Sequence, residues 1–159
     1  MITPLINSIL AKAPQIGQIE RIALRPGKGC PLVEVQSWDL SSGPKDYSRS
    51  KKRAVTLIQA EHLPIIAKLM GRDDWDYTVL RRNVLVSGIN LRALIGWRFQ
   101  IGSAVLRGTD ECDPCEQMEA TLGPGTLHAM IGHGGLCAAI ETPGSFRVGD
   151  PIIRLERVS

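Results

Sequence analysis

The sequence predicts a mainly β domain of the α+β kind, a barrel or curled sheet of short strands with a few small helices. Three observations predict it. Apolar, β-branched runs are short, turn signals rich in glycine and proline return every ~8–12 residues, and only two or three stretches carry helical periodicity. No repeat, linker or low-complexity stretch divides the 159 residues. A chain of that length falls within the ~100–200 residues usual for one domain and can bury roughly 70% of its unfolded surface. The expected organisation is an N-terminal extension, residues 1–18, and a single domain, residues 19–159.

After a polar lead-in, Ile19 to Leu24 and Leu32 to Trp38 read as strands, parted by the loop Arg25-Pro26-Gly27-Lys28-Gly29. Ser41-Ser42-Gly43-Pro44 opens a polar, basic loop. Ala54 to Ile58 reads as a short buried strand. From Glu61 to Met70, Leu63, Ile66, Ala67 and Met70 recur at helical spacing, and Gly71 supplies the stop. Val84-Leu85-Val86 is the heart of the next strand. Alternation puts Arg82, Val84 and Val86 on one face and Arg81, Asn83 and Leu85 on the other, so one of the two arginines faces inward. Asn90 suits the cap of a short helix over Leu91, Leu94 and Ile95, ended by Gly96. Two strands follow, Trp97 to Ile101 and Ala104 to Leu106. The last third holds a short helix after Pro114, a break at Gly123-Pro124-Gly125, a strand from Leu136 to Glu141, a turn at Pro143-Gly144 and a closing strand from Ile152 to Val158.

Composition removes several function classes. Hydrophobic residues at 43% and charged residues at 22% are ordinary for a globular protein. No run approaches the ~18 apolar residues of a membrane helix. Met1 to Pro14 lacks the basic region and cleavage pattern of a secretory signal, so the expectation is a cytoplasmic protein with no membrane partner. A net charge of +3, a pI near 8.8 and 4% aromatic residues argue against nucleic acid as a partner. Basic residues concentrate at Lys45, Arg49, Lys51, Lys52 and Arg53, and again at Arg81-Arg82, which suits a small anionic ligand or a basic lid over a pocket. Neither Gly27-Lys28-Gly29 nor Gly132-His133-Gly134-Gly135 fits a phosphate-binding or dinucleotide loop, and no hydrolase-type nucleophile elbow is present.

Cys30, Cys112, Cys115 and Cys137 read as thiols or ligands rather than a disulfide framework. Asp113-Pro114-Cys115-Glu116 has the marks of a helix N-terminus: a capping acid, proline in the first position and a glutamate able to complete a capping box. Cys115 then falls in the first helical turn, where unpaired N–H groups and the helix dipole stabilise a thiolate. Asp110, Glu111, Asp113 and Glu116 oppose that, so a nearby cation decides the balance. The plainer alternative is a buried, inert cysteine. A further alternative is structural zinc, since Cys112, Cys115, His133 and Cys137 follow C-x2-C-x17-H-x3-C. Against zinc, Cys137 lies in an apolar strand and the glycines around His133 suit a tight turn. His128 reads as an ordinary polar residue and His62 as a surface residue of its helix.

Five ordered blocks carry a resemblance. Arg81-Arg82-Asn83-Val84-Leu85-Val86-Ser87-Gly88 comes first. Leu91-Arg92-Ala93-Leu94-Ile95-Gly96 with Phe99-Gln100-Ile101-Gly102 comes next. Then follow Pro114-Cys115, Gly132-His133-Gly134-Gly135-Leu136, and Val148-Gly149-Asp150-Pro151-Ile152. Together, over roughly Ile19 to Glu156, they resemble a MOSC domain, the module named for the C-terminal part of molybdenum cofactor sulfurases, here as a small stand-alone member. The resemblance implies a β-barrel. It also implies a molybdenum-pterin cofactor, a small anionic partner, with Cys115 as molybdenum ligand or as persulfide carrier in sulfur transfer that needs no pyridoxal phosphate of its own. A molybdoenzyme or a cysteine desulfurase would then be the sulfur partner; the alternative is a non-catalytic binding module that keeps the barrel without the chemistry. The family's basic block maps onto Arg81, Arg82 and Asn83, and these, with Arg53, are the expected cofactor contacts. Trp38-Asp39-Leu40 stands where several members carry Gly-Asp-Arg-His. The additional N-terminal barrel and iron–sulfur domain of larger members have no counterpart here.

Overall fold

The computed structural model describes residues 3–43, 46, 50–73 and 76–159. The chain runs through α1 (Pro4–Lys12), β1 (Ile16–Leu24), β2 (Val33–Val35), β3 (Ser37–Asp39), β4 (Val55–Gln59), α2 (Leu63–Leu69) and β5 (Val84–Ser87). It continues with β6 (Trp97–Ile101), β7 (Ala104–Glu111), α3 (Glu116–Leu122), α4 (Thr126–Met130), β8 (Leu136–Thr142), β9 (Ser145–Arg147) and β10 (Pro151–Arg157). Short 3-10 turns cover Lys51–Arg53, Ala60–His62, Tyr77–Leu80 and Leu91–Leu94. Among the described residues no helix is long and apolar enough to cross a membrane.

Seven strands close a barrel in the order β10-β6-β7-β8-β4-β5-β1, and β1 returns to β10 through Ile16–Gln18. The far end of β1, Ile22–Leu24, carries β2, while β3 pairs with β9 across the register Trp38↔Phe146. Strand alternation splits the apolar residues into two cores. Val84, Val86, Leu57, Phe99, Leu106 and Ile152 fill the barrel. Leu85 and Ile58 point outward and pack with Ile66, Tyr77, Met118 and Met130 beneath the helices. Because both faces are covered, Val55 to Ile58 is buried at every position.

The mainly β barrel with small helices is as the sequence predicts, and several boundaries are corrected. β1 starts at Ile16, inside the expected extension. Gly17 offers no side chain to mark a strand there, yet it packs tightly against Ser87 and Ile89, where a Cβ would not fit. The predicted strand Leu32 to Trp38 is two strands serving two sheets, parted at Gln36, whose carbonyl accepts from Val148 N at 3.0 Å. The predicted helix from Glu61 opens instead as the 3-10 turn Ala60–His62, and α2 takes over with Pro64 in its first turn. β7 runs on to Glu111, α1, α4 and β9 are additional, and Lys45, Arg49 and Pro44 of the predicted basic loop lie outside the described residues.

Candidate functional site

β7 ends at Glu111, and the next four residues carry the chain off the barrel to α3. Cys115 is the N-cap of α3 rather than a member of its first turn: its backbone is extended (φ −113°, ψ 164°) and its carbonyl accepts from Met118 N at 3.0 Å. With Cys115 as the cap and Glu116 the first helical residue, the predicted capping box of Asp113 and Glu116 does not form. Glu119 points forward, its carboxylate accepting from Gly125 N at 2.8 Å and Leu127 N at 2.7 Å, and so caps α4. Cys115 is exposed, which removes the buried, inert alternative.

The thiol of Cys115 borders a cleft of about 700 Å³, within the ~300–1,000 Å³ usual for small-molecule sites. One wall is the start of α3, with Pro114, Cys115 and Met118. The floor is strand backbone and short side chains: Thr56, Thr109, Cys112 and Cys137. The lining also carries the cations Arg25, Lys28, Lys52, Arg53, Arg81 and Arg82 and the three carboxylates Asp110, Glu111 and Asp113.

The expected contacts fall into two groups. Arg53, at the end of its 3-10 turn, lines the cleft and brings Nη2 to 3.9 Å from Cys112 Sγ. Arg81 also lines it, donating Nη1 to the Cys30 carbonyl at 2.9 Å. Both arginines reach the cleft, contrary to strict alternation, because Arg81 follows the turn Tyr77–Leu80 with left-handed backbone (φ 59°) and the strand begins only after it. Arg82 is 6% exposed and donates from all three nitrogens to backbone carbonyls, Gly134 at 2.8 Å, Leu80 at 3.1 Å and Cys112 at 3.1 Å. Its charge faces the cleft while its donors hold the frame.

Asn83 is fully buried and is not a wall of the cleft. Its Oδ1 accepts from Thr56 N at 3.0 Å and Thr56 Oγ1 at 3.1 Å, and its Nδ2 donates to the Ala23 carbonyl at 3.1 Å, stitching β5 to β4 and β1. Arg25 and Lys28, in the loop after β1, and Lys52 are cleft cations absent from the expected set. A lysine between two glycines is the local signal for Lys28. Arg25 pairs with Asp46 at 2.9 Å. Burial raises the Asp46 carboxyl, and its contacts with Arg25 pull the other way.

The zinc alternative does not assemble. Among the described residues no group of three His, Cys, Asp or Glu side chains is placed to hold a metal. Cys112 and Cys137 meet at the cleft floor, but Cys115 is exposed at the start of α3. His133 sets Nδ1 3.1 Å from the Ala129 carbonyl and packs edge-to-face on His62 at 5.1 Å. His62 is therefore half-buried rather than a surface residue, and His128 is exposed. Trp38 packs edge-to-face on Phe146 at 5.8 Å, while Asp39, held down to about 2 by hydrogen bonds from Ser41 and Ser42, closes its own loop. Neither residue borders the cleft.

None of the four cysteines is in a disulfide. The neighbouring Cys137 thiol, then the charges of Arg82 and Arg53, lower the Cys112 thiol against the effect of burial. The Cys112 thiol, and burial after it, raise Cys137. The surroundings thus favour the thiolate at Cys112 and the protonated thiol at Cys137.

Comparison with known proteins places this architecture. No curated protein matches the chain by sequence. Among solved structures, the YuaD protein of Bacillus subtilis superposes with a TM-score of 0.75 at 22% identity, over 89% of this chain and 97% of that one. YiiM of Geobacillus stearothermophilus gives 0.74 at 16% identity, over 88% of this chain and 75% of the other. YiiM of Escherichia coli gives 0.69 at 16%, over 89% and 71%. At these identities the likeness is one of fold. The sequence itself matches the family model described as MOSC domain over residues 44–153. With the seven-stranded barrel and the cysteine cleft already in place, that match, covering more than half of the chain, makes this protein a member of the MOSC domain family.

Proposed function

We propose that the cleft binds the molybdenum-pterin cofactor and that Cys115 presents its sulfur there, as metal ligand or as persulfide carrier. The single observation that carries this reading is the shared cleft: one exposed thiol borders a cavity of ligand size lined by six cationic and three acidic side chains. The residues present fit such a group in size and charge. Lys28, Lys52, Arg53 and Arg81 offer charge-assisted donors suited to a phosphate, and the thiol suits a soft metal centre. When bound, the cofactor supplies a metal able to take a thiolate or sulfido ligand. The chain's own part is to grip the anion, keep Cys115 exposed, and hold the loop before α3 against the barrel through Arg82. The two further thiols at the floor favour the carrier role, since ligation alone needs one sulfur. Arg82 and Asn83 act in this reading as framework, and Lys28 and Lys52 join Arg53 and Arg81 as contacts.

The test is protein produced in a host that makes the cofactor, assayed for molybdenum, for pterin fluorescence and for persulfide on Cys115. Cys115→Ala is expected to fold with an unchanged melting curve and to lose the bound metal or the persulfide. Wild-type protein with no molybdenum, no pterin and no persulfide sinks the reading.

A further inference from the structure

The outer sulfur of a persulfide is at the oxidation level of elemental sulfur, so it leaves as sulfide only after gaining two electrons. One cysteine cannot supply them by itself, whereas two thiols closing to a disulfide can. The floor of the cleft holds such a pair. Cys112 N donates to the Gly135 carbonyl at 2.8 Å, and Asp110 stands opposite Cys137, so the two cysteines are diagonal neighbours on one face of the β7–β8 ladder. Both border the same cleft as Cys115.

The surroundings divide the roles. Arg53 Nη2 is 3.9 Å from Cys112 Sγ, and the buried Arg82 guanidinium is fixed on the Cys112 carbonyl at 3.1 Å. Two cations therefore attend Cys112. Cys137 Sγ is 3.8 Å from the Glu111 carbonyl, an acceptor that favours the protonated thiol. Cys112 has the setting of an attacking thiolate and Cys137 that of a resolving thiol.

We propose that Cys112 and Cys137 are a dithiol couple that takes sulfane sulfur from the cleft and reduces it to sulfide. The proposal rests on the reading of Cys115 as persulfide carrier. First, the Cys112 thiolate attacks the outer sulfur of the Cys115 persulfide. A Cys112–S–SH bond forms, the S–S bond at Cys115 breaks, and Cys115 leaves as thiolate. Then Cys137 loses its proton and attacks Cys112 Sγ, closing the Cys112–Cys137 disulfide and expelling hydrosulfide, which takes up that proton. The sulfane sulfur has gained two electrons and the dithiol has lost two. A small-molecule thiol reductant resets the pair.

The test uses the full reduced chain, freed of reductant and given an equimolar amount of cysteine persulfide, with released sulfide measured and the cysteines mapped by mass spectrometry. Sulfide release in step with a Cys112–Cys137 disulfide is expected. Cys137→Ser should cut release about tenfold or more and strand the sulfur on Cys112, and Cys112→Ser should strand it on Cys115. A wild-type Cys115 persulfide that yields neither sulfide nor disulfide overturns the couple and leaves the carrier reading standing. A disulfide between Cys112 and Cys115 overturns the role of Cys137. Release and disulfide that persist in Cys115→Ser uphold the couple and overturn the carrier reading. Since both serine variants alter buried positions, wild type is also equilibrated with mixtures of reduced and oxidised glutathione. The Cys112–Cys137 disulfide is expected to grow with the oxidised share, and a pair that stays reduced throughout overturns the proposal.

Discussion

Arg82 and Asn83 show how a residue's type and its task come apart. Both are polar residues of the block that carries the family resemblance, and both spend their hydrogen bonds on the protein itself. Their local sequence announces polarity at the start of a strand. It does not announce the carbonyls of Gly134, Cys112 and Ala23 that meet them there, because those lie far along the chain. Asn83→Ala leaves the Ala23 carbonyl and the Thr56 donors facing a buried void, and should cost roughly 3 kcal/mol, read as a lower midpoint of urea unfolding. Cys115 was legible in another way. Proline before it and a helix after it are local facts, and they put it at a helix start to within one residue, while its exposure and its cationic neighbours come only from the fold.

At the scale of elements, the link between the α4 loop and the strands is close. Gly135 precedes β8 with φ +102°, and a Cβ there would fall inside contact distance of the Leu57 carbonyl. Gly135→Ala is expected to cost about 3 kcal/mol or more, visible as a large drop in melting temperature or loss of soluble protein. The same junction sets a pH response. Burial first, and then the neighbouring His133, lower the His62 imidazole below its ordinary value. The unfolded chain therefore takes up this proton more readily than the folded one. Its contribution to stability is present above about pH 6.5 and is lost as pH falls through the window below. Urea midpoints should fall between about pH 7.5 and pH 5, and His62→Asn should flatten that part of the slope. The sequence marked the glycine run as a turn and His62 as helical. It could not show that the two elements touch, since helix periodicity identifies an apolar stripe without naming what the stripe meets.

The whole molecule depends on closure. α1 buries no residue and is tied to the barrel through its last turn, where Arg154 donates to the Ala11 and Ala13 carbonyls at 3.1 and 2.9 Å, and by a longer contact from Arg157 to Asn7. Removing residues 1–14 should cost only about 1 kcal/mol and leave the reactivity of the cleft thiols unchanged. Removing residues 1–18 also deletes the Ile16–Gln18 half of the β1–β10 seam and should abolish cooperative folding; thermal melts of the two truncations decide this. By itself the sequence determined a mainly β barrel, its family, and a cysteine at a helix start. Those properties follow from apolar alternation, turn residues and ordered motifs, each readable within a few neighbouring positions. Only the tertiary structure decided that Arg82 and Asn83 hold the frame, that Lys28 and Lys52 join the cleft, and that Cys112 meets Cys137 instead of a zinc ion. Strand register across the closed barrel sets those contacts, and register is a property of the whole sheet, which no local pattern encodes.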